Sequence, residues 1–541
     1  MSFNLISKNF YKFLLVSLFI LFGLLGLAKS SWAADFYITQ NVSGANTGAD
    51  CANAHAVSWF NASGNWSNPK QADKIGPADI VHLCGTFTGT PGNAMLTVRG
   101  SGSSGSPITI LFESGAILQN VHWGTNAAIK AIDVSHISVD GGTNGIIQAT
   151  DNGSASLGFT YQERSTGIMF YPCTYCEVKH LTIRNMYVRT ETDSDYTCDS
   201  SAFPSSNNGI AAGNDITGLR VHDNVIYDAM EGINSFFQQN SSDVEVYNNT
   251  IYHTASPVSF VTINNNLTNL SIHDNKAYDA YPWNDPNNYF HIHGFLVMNV
   301  SYGYGIFTNV NIYNNYMYGT QGSWTNSIGP HQTGGIWFAC DYPDYKFVNV
   351  NIYNNILTTG TVSEDYPKNG LLSVQGCTNN LLVANNTFIG LEADKNGIGF
   401  MMGEMGTRSN TTVKNNVFSN IIIPLYIYSR NRIASDNNIF FHPDPQFITD
   451  SWLGFSDWKA ASGNDSHSVT SNPNLTSEYK LQASSNAAIN NGVSLSSYFT
   501  TDKDGFPRPQ GSAWDIGAYE YTGGTPPDVT PPAAPSGITI S

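Results

Sequence analysis

Val244-Glu245-Val246-Tyr247-Asn248-Asn249-Thr250-Ile251-Tyr252-His253 decides the fold. Val244 and Val246 alternate with Glu245 and Tyr247, the period-two pattern of a strand with one buried face. Asn248-Asn249 breaks the pattern with residues that tolerate a left-handed backbone, and Thr250-Ile251-Tyr252 resumes a second short strand. The unit recurs as LTIRNMYV (181–188), LRVHDNVIYD (219–228), LSIHDNKAYD (270–279), VNIYNNYMYG (310–319) and VNIYNNILTT (350–359). It continues as LLVANNTFIG (381–390), TTVKNNVFSN (411–420) and IASDNNIFFH (433–442).

The asparagine before each second strand is Asn185, Asn224, Asn249, Asn275, Asn315, Asn355, Asn386, Asn416 and Asn438. The spacings are 39, 25, 26, 40, 40, 31, 30 and 22 residues. A short unit with variable insertions and no helical periodicity predicts a parallel β-solenoid. Stacked asparagines then hydrogen-bond along the axis, so this ladder is structural, and the many N-x-S/T triplets follow from it. A second ladder follows the first: GIMF (167–170), GIAA (209–212), GINS (232–235), GFLV (294–297), GIWF (335–338), GLLS (370–373) and GIGF (397–400). PVSF (257–260) and PLYI (424–427) hold proline in the glycine place.

With these repeats the chain resembles the right-handed parallel β-helix proteins of the pectate-lyase-like superfamily, over roughly residues 34–521. PADIVHLCGTFTG (77–89) and SGSPITILFESGAIL (104–118) are similar to the segment that caps many secreted members. DKDGFPRPQGSAWDIGAYEY (502–521) resembles the closing segment common in bacterial ones. The resemblance implies an all-β solenoid with an N-terminal cap and first coils over 34–120, repeats over 121–445 and a closing segment over 446–521. It also implies action on a polysaccharide, by a lyase in preference to a glycoside hydrolase.

The ends frame this body. Lys8 and Lys12 precede FLLVSLFILFGLLGLA, and Ser31 and Ala33 occupy the small-residue positions of a cleavage site. Residues 1–33 therefore read as a secretory signal peptide, giving an exported or cell-surface chain with no membrane span. The Pro/Gly/Thr-rich stretch 522–541 reads as a linker or tail. Loss of the signal removes Lys8, Lys12 and Lys29 and takes the formal charge from −17 to about −20. So acidic a chain is ill suited to nucleic acid, and it would hold an anionic polymer only through a bridging cation. Nothing in the sequence asks for a second copy, and the chain is read as a monomer. Seven cysteines are too few for a disulfide scaffold. Cys51 with Cys84 and Cys340 with Cys377 suit local staples, while Cys173, Cys176 and Cys198 cluster near one insertion. No second pair completes a zinc or redox motif around Cys173 and Cys176.

The longest spacings, 186–223, 276–314 and 316–354, place the extended loops on one face, where solenoids build binding clefts. The position before each glycine of the second ladder is Thr166, Asn208, Glu231, Ser256, His293, Gly334, Asn369 and Asn396. Stacking at about 4.8 Å per coil puts Glu231 and His293 roughly 10 Å apart. His291 shares a face with His293, expected to be outward because Ile292, Phe295 and Val297 need interior or stacked positions, and this face is expected to be open to a ligand. The expected catalytic set is Glu231, His291, His293, His331 and Lys368, with Trp283, Tyr289, Trp324 and Trp337 stacking on sugars. Asp193, Asp195, Asp199 and Asp285 hang over it as calcium ligands or as solvated loop residues. Secreted β-helix families place an H-x-D-G segment here, and this chain carries His293 in the Asp position.

Three chemistries suit such a cleft. A hydrolase needs two carboxylates, here Glu231 with one of the loop aspartates. A lyase or a uronate epimerase needs a base beside the uronate carboxylate, from His291, His293, His331 or Lys368, and a cation for the developing charge, such as calcium held by Glu231 and nearby aspartates. Zinc on His291, His293 and His331 is a further alternative. The non-enzymatic alternative is an exported glycan-binding or adhesin-like protein that depends on its aromatic residues.

Overall fold

The computed structural model describes residues 33–153, 158–187, 207–280, 292–300, 304–321, 325–326, 329–330, 333–340, 346–358, 370–374, 377–391, 397–403, 409–428 and 433–523. Each coil gives one short strand to each of three parallel stacks. The first stack begins where Asp35–Thr39 pairs with Ile80–Leu83 and runs through Ser241–Tyr247, Leu267–His273 and Phe307–Tyr313 to Ile433–Asp436. The second contains the pairings Val225 to Thr250, Thr250 to Lys276 and Lys276 to Tyr316. The third aligns Ile168, Ile210, Ile233, Val258, Phe295, Ile336, Leu372, Phe400, Leu425 and Phe447. The protein is an all-β parallel β-helix.

Alternation sends every second side chain into one continuous core. Val246, Ile272, Ile312 and Ile352 come from the first stack, Ile251, Phe388 and Phe418 from the second, and Ile233, Phe295 and Leu372 from the third. All are fully buried, each worth about 1.5–3 kcal/mol relative to exposure.

The paired asparagines divide their work. The second of each pair points inward: Asn249 Nδ2 donates to Val221 O (2.9 Å) and Asn275 Oδ1 (3.0 Å), and Asn249 N also donates to Asn275 Oδ1. The pattern repeats through Asn315, Asn355, Asn386 and Asn416 to Asn438. Asn185 is not a rung. Thr182 pairs with Val225, so Leu181 stands opposite Asn224, and its N–H donates to Asn224 Oδ1 (3.1 Å). The ladder starts there because the preceding strand, Ile137–Ala149, passes this point with a register shift between Asp140 and Gly145 instead of an asparagine turn. Asn185 lies one corner later, in left-handed backbone like Asp228, His253 and Asp279.

The first asparagine of each pair takes the left-handed turn itself and points outward. Five of these hold the closing segment. Asn437 Nδ2 donates to Asn491 O, Asn415 Nδ2 to Val493 O, Asn385 Nδ2 to Asp515 O and Asn354 Nδ2 to Thr501 O; Lys503 Nζ donates to Asn314 O. Residues 491–521 thus form a clasp along five coils. Arg508 anchors it, donating to Glu520 (2.7 Å) and to Asn354 Oδ1 (3.0 Å) with both partners of the ion pair fully buried. The last coil is closed by the antiparallel pair Gln446–Ile448 and Trp452–Gly454 and by the helix Phe455–Ser462, whose Trp458 ring stacks on Phe447 at 5.3 Å.

The glycine ladder holds through Gly335 and then departs from the sequence alignment. Ile336 pairs with Leu372, which pairs with Phe400, so Leu371 and Gly399 follow Gly335, displacing Gly370 and Gly397 by one and two residues. The core decides the register, because Leu372 and Phe400 are both fully buried. The cleft positions in these coils are therefore Gly370 and Ile398, not Asn369 and Asn396. Glycine is required at Gly232, where a Cβ would lie 2.6 Å from both Ile251 Cγ2 and Pro257 O. Cys51 pairs with Cys84, Cys173 with Cys176 and Cys340 with Cys377; Cys198 lies outside the described residues.

Candidate functional site

The glycine bend turns the chain so that residues on either side of it share the outer face. Glu231 and Asn234 flank Gly232 and Ile233, and Asn234 Nδ2 donates to Glu231 Oε2. Along the axis the Glu231 column reads Asn208, Glu231, Ser256, and the register of the next strand, Val258 with Phe295, carries it to His293. Glu231 and His293 are thus two coils apart in one column, as the spacing predicts. The neighbouring outward column is Ala211, Asn234, Ser259, Leu296, Trp337, Ser373, Met401 and Tyr426. Glu231 is the one carboxylate in these two columns among the described residues.

Outward does not mean open. His293 points away from Phe295 and Val297 but is only 3% exposed, and Glu231 only 6%. The imidazole lies against the Trp337 indole at 4.3 Å between ring centres, tilted by 57°. Trp337 belongs to a second apolar cluster, outside the core, with Phe236, Val261, Leu296 and Ala339. The expectation of a solvent-exposed histidine is corrected accordingly: this face carries its own apolar layer, against which the imidazole is covered, while the buried carboxylate lies among Asn208, Asn234 and Ser256. A water-poor surface of this kind strengthens hydrogen bonds and charge interactions at its polar groups.

Three residues missed in the sequence are Asn234, bonded to the column, and Asp228 and His253 at the corner that precedes it in the chain. Asn234 was read only as part of GINS. Asp228 and His253 occupy the left-handed corner before the bend, with His253 Nδ1 3.1 Å from Asp228 Oδ1. Burial pushes the Asp228 carboxyl up, against the lowering effect of His253 and Arg184. The repeat carried a signal for this corner, since VIYD, TIYH and KAYD all end on it.

The remaining expected site residues lie outside the described residues: His291, His331 and Lys368, the aromatic residues Trp283, Tyr289 and Trp324, and Asp193, Asp195, Asp199 and Asp285. Among the described residues no group of three or more His, Cys, Asp or Glu side chains could hold a metal. No helix among them is long and apolar enough to cross a membrane.

No known protein-family profile matches the sequence, and no curated protein matches it. Among solved structures, the pectate lyase Pel9A is similar at 15% identity and a TM-score of 0.40, over 91% of this chain and 97% of that one. A family 136 glycoside hydrolase, the lacto-N-biosidase of Eubacterium ramulus, is similar at 13% identity and a TM-score of 0.39, over 77% of this chain and 65% of that one. A mannuronic acid specific polysaccharide family 6 lyase from human gut microbiota is similar at 11% identity and a TM-score of 0.23, over 66% and 87%.

Proposed function

We propose that this protein is an exported, monomeric carbohydrate-active enzyme that cleaves or modifies a polysaccharide on the outer face of its third stack. The observation that carries the reading is the pair in one column, Glu231 held by Asn234 and His293 held by Trp337, both shielded from bulk water as acid–base groups of a closed site are. In the preferred form the reaction is an elimination. His293 takes the proton beside a uronate carboxylate, a carbon–carbon double bond forms as the glycosidic C–O bond to the next sugar breaks, and Glu231, held by Asn234, delivers a proton to the departing oxygen. A uronate must be held against the acidic character of the protein, and a calcium ion on Asp193, Asp195, Asp199 or Asp285 would supply that attraction.

A hydrolase is the second reading, favoured by one observation. Asp228, three residues before Glu231 in the chain, has its carboxyl raised by burial, which suits it to the acid's role in a pair of carboxylates. The test is the purified chain on polyuronates and neutral glycans, with calcium and with chelator, followed by ultraviolet absorbance and reducing ends together. New ends with an unsaturated uronate chromophore support elimination. New ends alone move the assignment to hydrolysis through Glu231 and Asp228. Binding without new ends would overturn the enzymatic reading and leave a glycan-binding protein.

A further inference from the structure

A different face carries an uninterrupted polar and aromatic column. On the outside of the second stack, successive coils place Thr88, Gln119, Gln148, Arg184, Tyr227, Tyr252, Tyr278 and Tyr318 side by side. The four tyrosine rings stack at 4.7, 4.8 and 4.8 Å, with interplanar angles of 10°, 7° and 18°. The row is capped by Arg184, which donates to the Tyr227 hydroxyl (2.9 Å) and to Gln148 Oε1. All four tyrosines are half-buried. Because their faces cover one another, what they offer outward is ring edges and a hydroxyl on every coil.

The other end of the row meets the clasp. Tyr316 stacks beside Tyr318 at 4.4 Å and packs with Tyr479 and Tyr519. Tyr519 lines a cavity of about 510 Å³ shared with Glu478, Lys480, Gln482, Asp504 and Phe506. Lys480 crosses it, 2.6 Å from Asp504 and 5.1 Å from the centre of the Tyr519 ring.

We infer that this strip and cavity form a second glycan-binding surface, holding an extended neutral chain parallel to the solenoid axis with one end seated at Tyr519 and Lys480. A repeating polymer suits a repeating surface: an extended glycan presents hydroxyls at a spacing close to that of the coils. Burial pushes the Tyr252 and Tyr316 phenols up to about 12, so they remain hydrogen-bond donors across the working pH range. The acids around Lys480 oppose a polyanion, which selects a neutral chain. The strip rests on the proposed function for its substrate class, a glycan; its residues lie on another stack from Glu231 and His293 but border the corner of Asp228 and His253, where the Tyr252 and His253 rings meet at 4.9 Å.

The experiment uses the full chain and neutral linear oligosaccharides of one to eight sugars, titrated calorimetrically against wild type, a Tyr252→Phe/Tyr278→Phe double variant, Lys480→Ala and Glu231→Gln. Phenylalanine keeps the stack and removes two hydroxyls. Wild-type affinity should rise with chain length, fall about tenfold or more in the double variant and in Lys480→Ala, and persist in Glu231→Gln. Equal affinity in the double variant and wild type would overturn the strip, as would affinity that vanishes only in Glu231→Gln. No binding of any neutral chain overturns it too. If the double variant still turns over polymer, the enzymatic reading stands independently of the strip. If wild type binds through the strip without turnover, the enzymatic reading fails alone.

Discussion

Replacing Asn315 by alanine removes one rung of the buried ladder, and its cost can be worked from the bonds it breaks. Asn315 Nδ2 donates to Ile272 O (2.9 Å) and to Asn355 Oδ1 (3.0 Å). Its Oδ1 accepts from Asn275 N (3.0 Å) and Asn275 Nδ2 (3.1 Å). After the substitution Asn355 Oδ1 keeps the Asn315 backbone N–H, and Asn275 Nδ2 keeps Val246 O and His273 O. The Asn275 backbone N–H keeps nothing, and Ile272 O loses its side-chain donor. One orphaned buried donor and one lost bond come to about 2–4 kcal/mol. The control is Asn309→Gly in the exposed ladder, where Asn309 Nδ2 donates to Asn269 Oδ1 (3.0 Å), its Oδ1 accepts from Asn349 Nδ2 (3.1 Å), and water replaces both partners. Glycine suits the left-handed backbone at Asn309, so no strain is added, and the expected cost is below about 1 kcal/mol. Urea midpoints by circular dichroism compare the two, with hydrogen exchange on the flanking strands because solenoids open locally. Equal midpoints, or undisturbed exchange at Asn275 in Asn315→Ala, would refute the assignment of stability to the buried ladder.

Other outcomes follow from the same geometry. Hydrogen bonds from His222, then Lys179 and Ser138, hold the Glu177 carboxyl well below the ordinary carboxylate range, while Glu177 and Asp223 raise His222 against the lowering effect of its burial. A depressed carboxylate stabilises above its unfolded pKa and is lost as pH falls. A raised histidine stabilises below its unfolded pKa and is lost as pH rises. The pair therefore supports the fold best between about pH 4 and 6.5, and Glu177→Gln should flatten the acid side of a melting-temperature profile. Arg508→Ala leaves Glu520 buried without its cation, should cost about 3–5 kcal/mol, and should expose residues 491–521 to proteolysis before the coils. Thiol titration of the denatured, unreduced protein should find one thiol per chain, since six of the seven cysteines are paired.

The sequence carried the architecture because a solenoid writes its register locally: VEVYNNTIYH holds a strand, its turn and the next strand within ten residues. The same logic placed Glu231 and His293 in one column. It erred where local likeness and core packing part. Asn185 resembles a rung, yet the Thr182–Val225 pairing puts Leu181 there. Gly370 and Gly397 resemble ladder glycines, yet burial of Leu372 and Phe400 sets another alignment. The burial of His293 was hidden because outward orientation is a property of one strand, whereas exposure depends on what neighbouring coils add, here Trp337 from the next one. The closing segment was legible in DKDGFPRPQGSAWDIGAYEY, but where it docks was not: Asn354 meets Arg508 across 154 residues, and nothing near either announces the other.

The central claim is that the Glu231 face performs chemistry as well as binding. Its most direct test is Glu231→Gln on the glycan that the substrate panel identifies, with binding and turnover measured separately. Turnover should fall at least a hundredfold, the scale of a lost acid–base or charge-stabilising group, while affinity stays within about threefold of wild type. Turnover unchanged from wild type would contradict the account and move the reaction to another face of the solenoid.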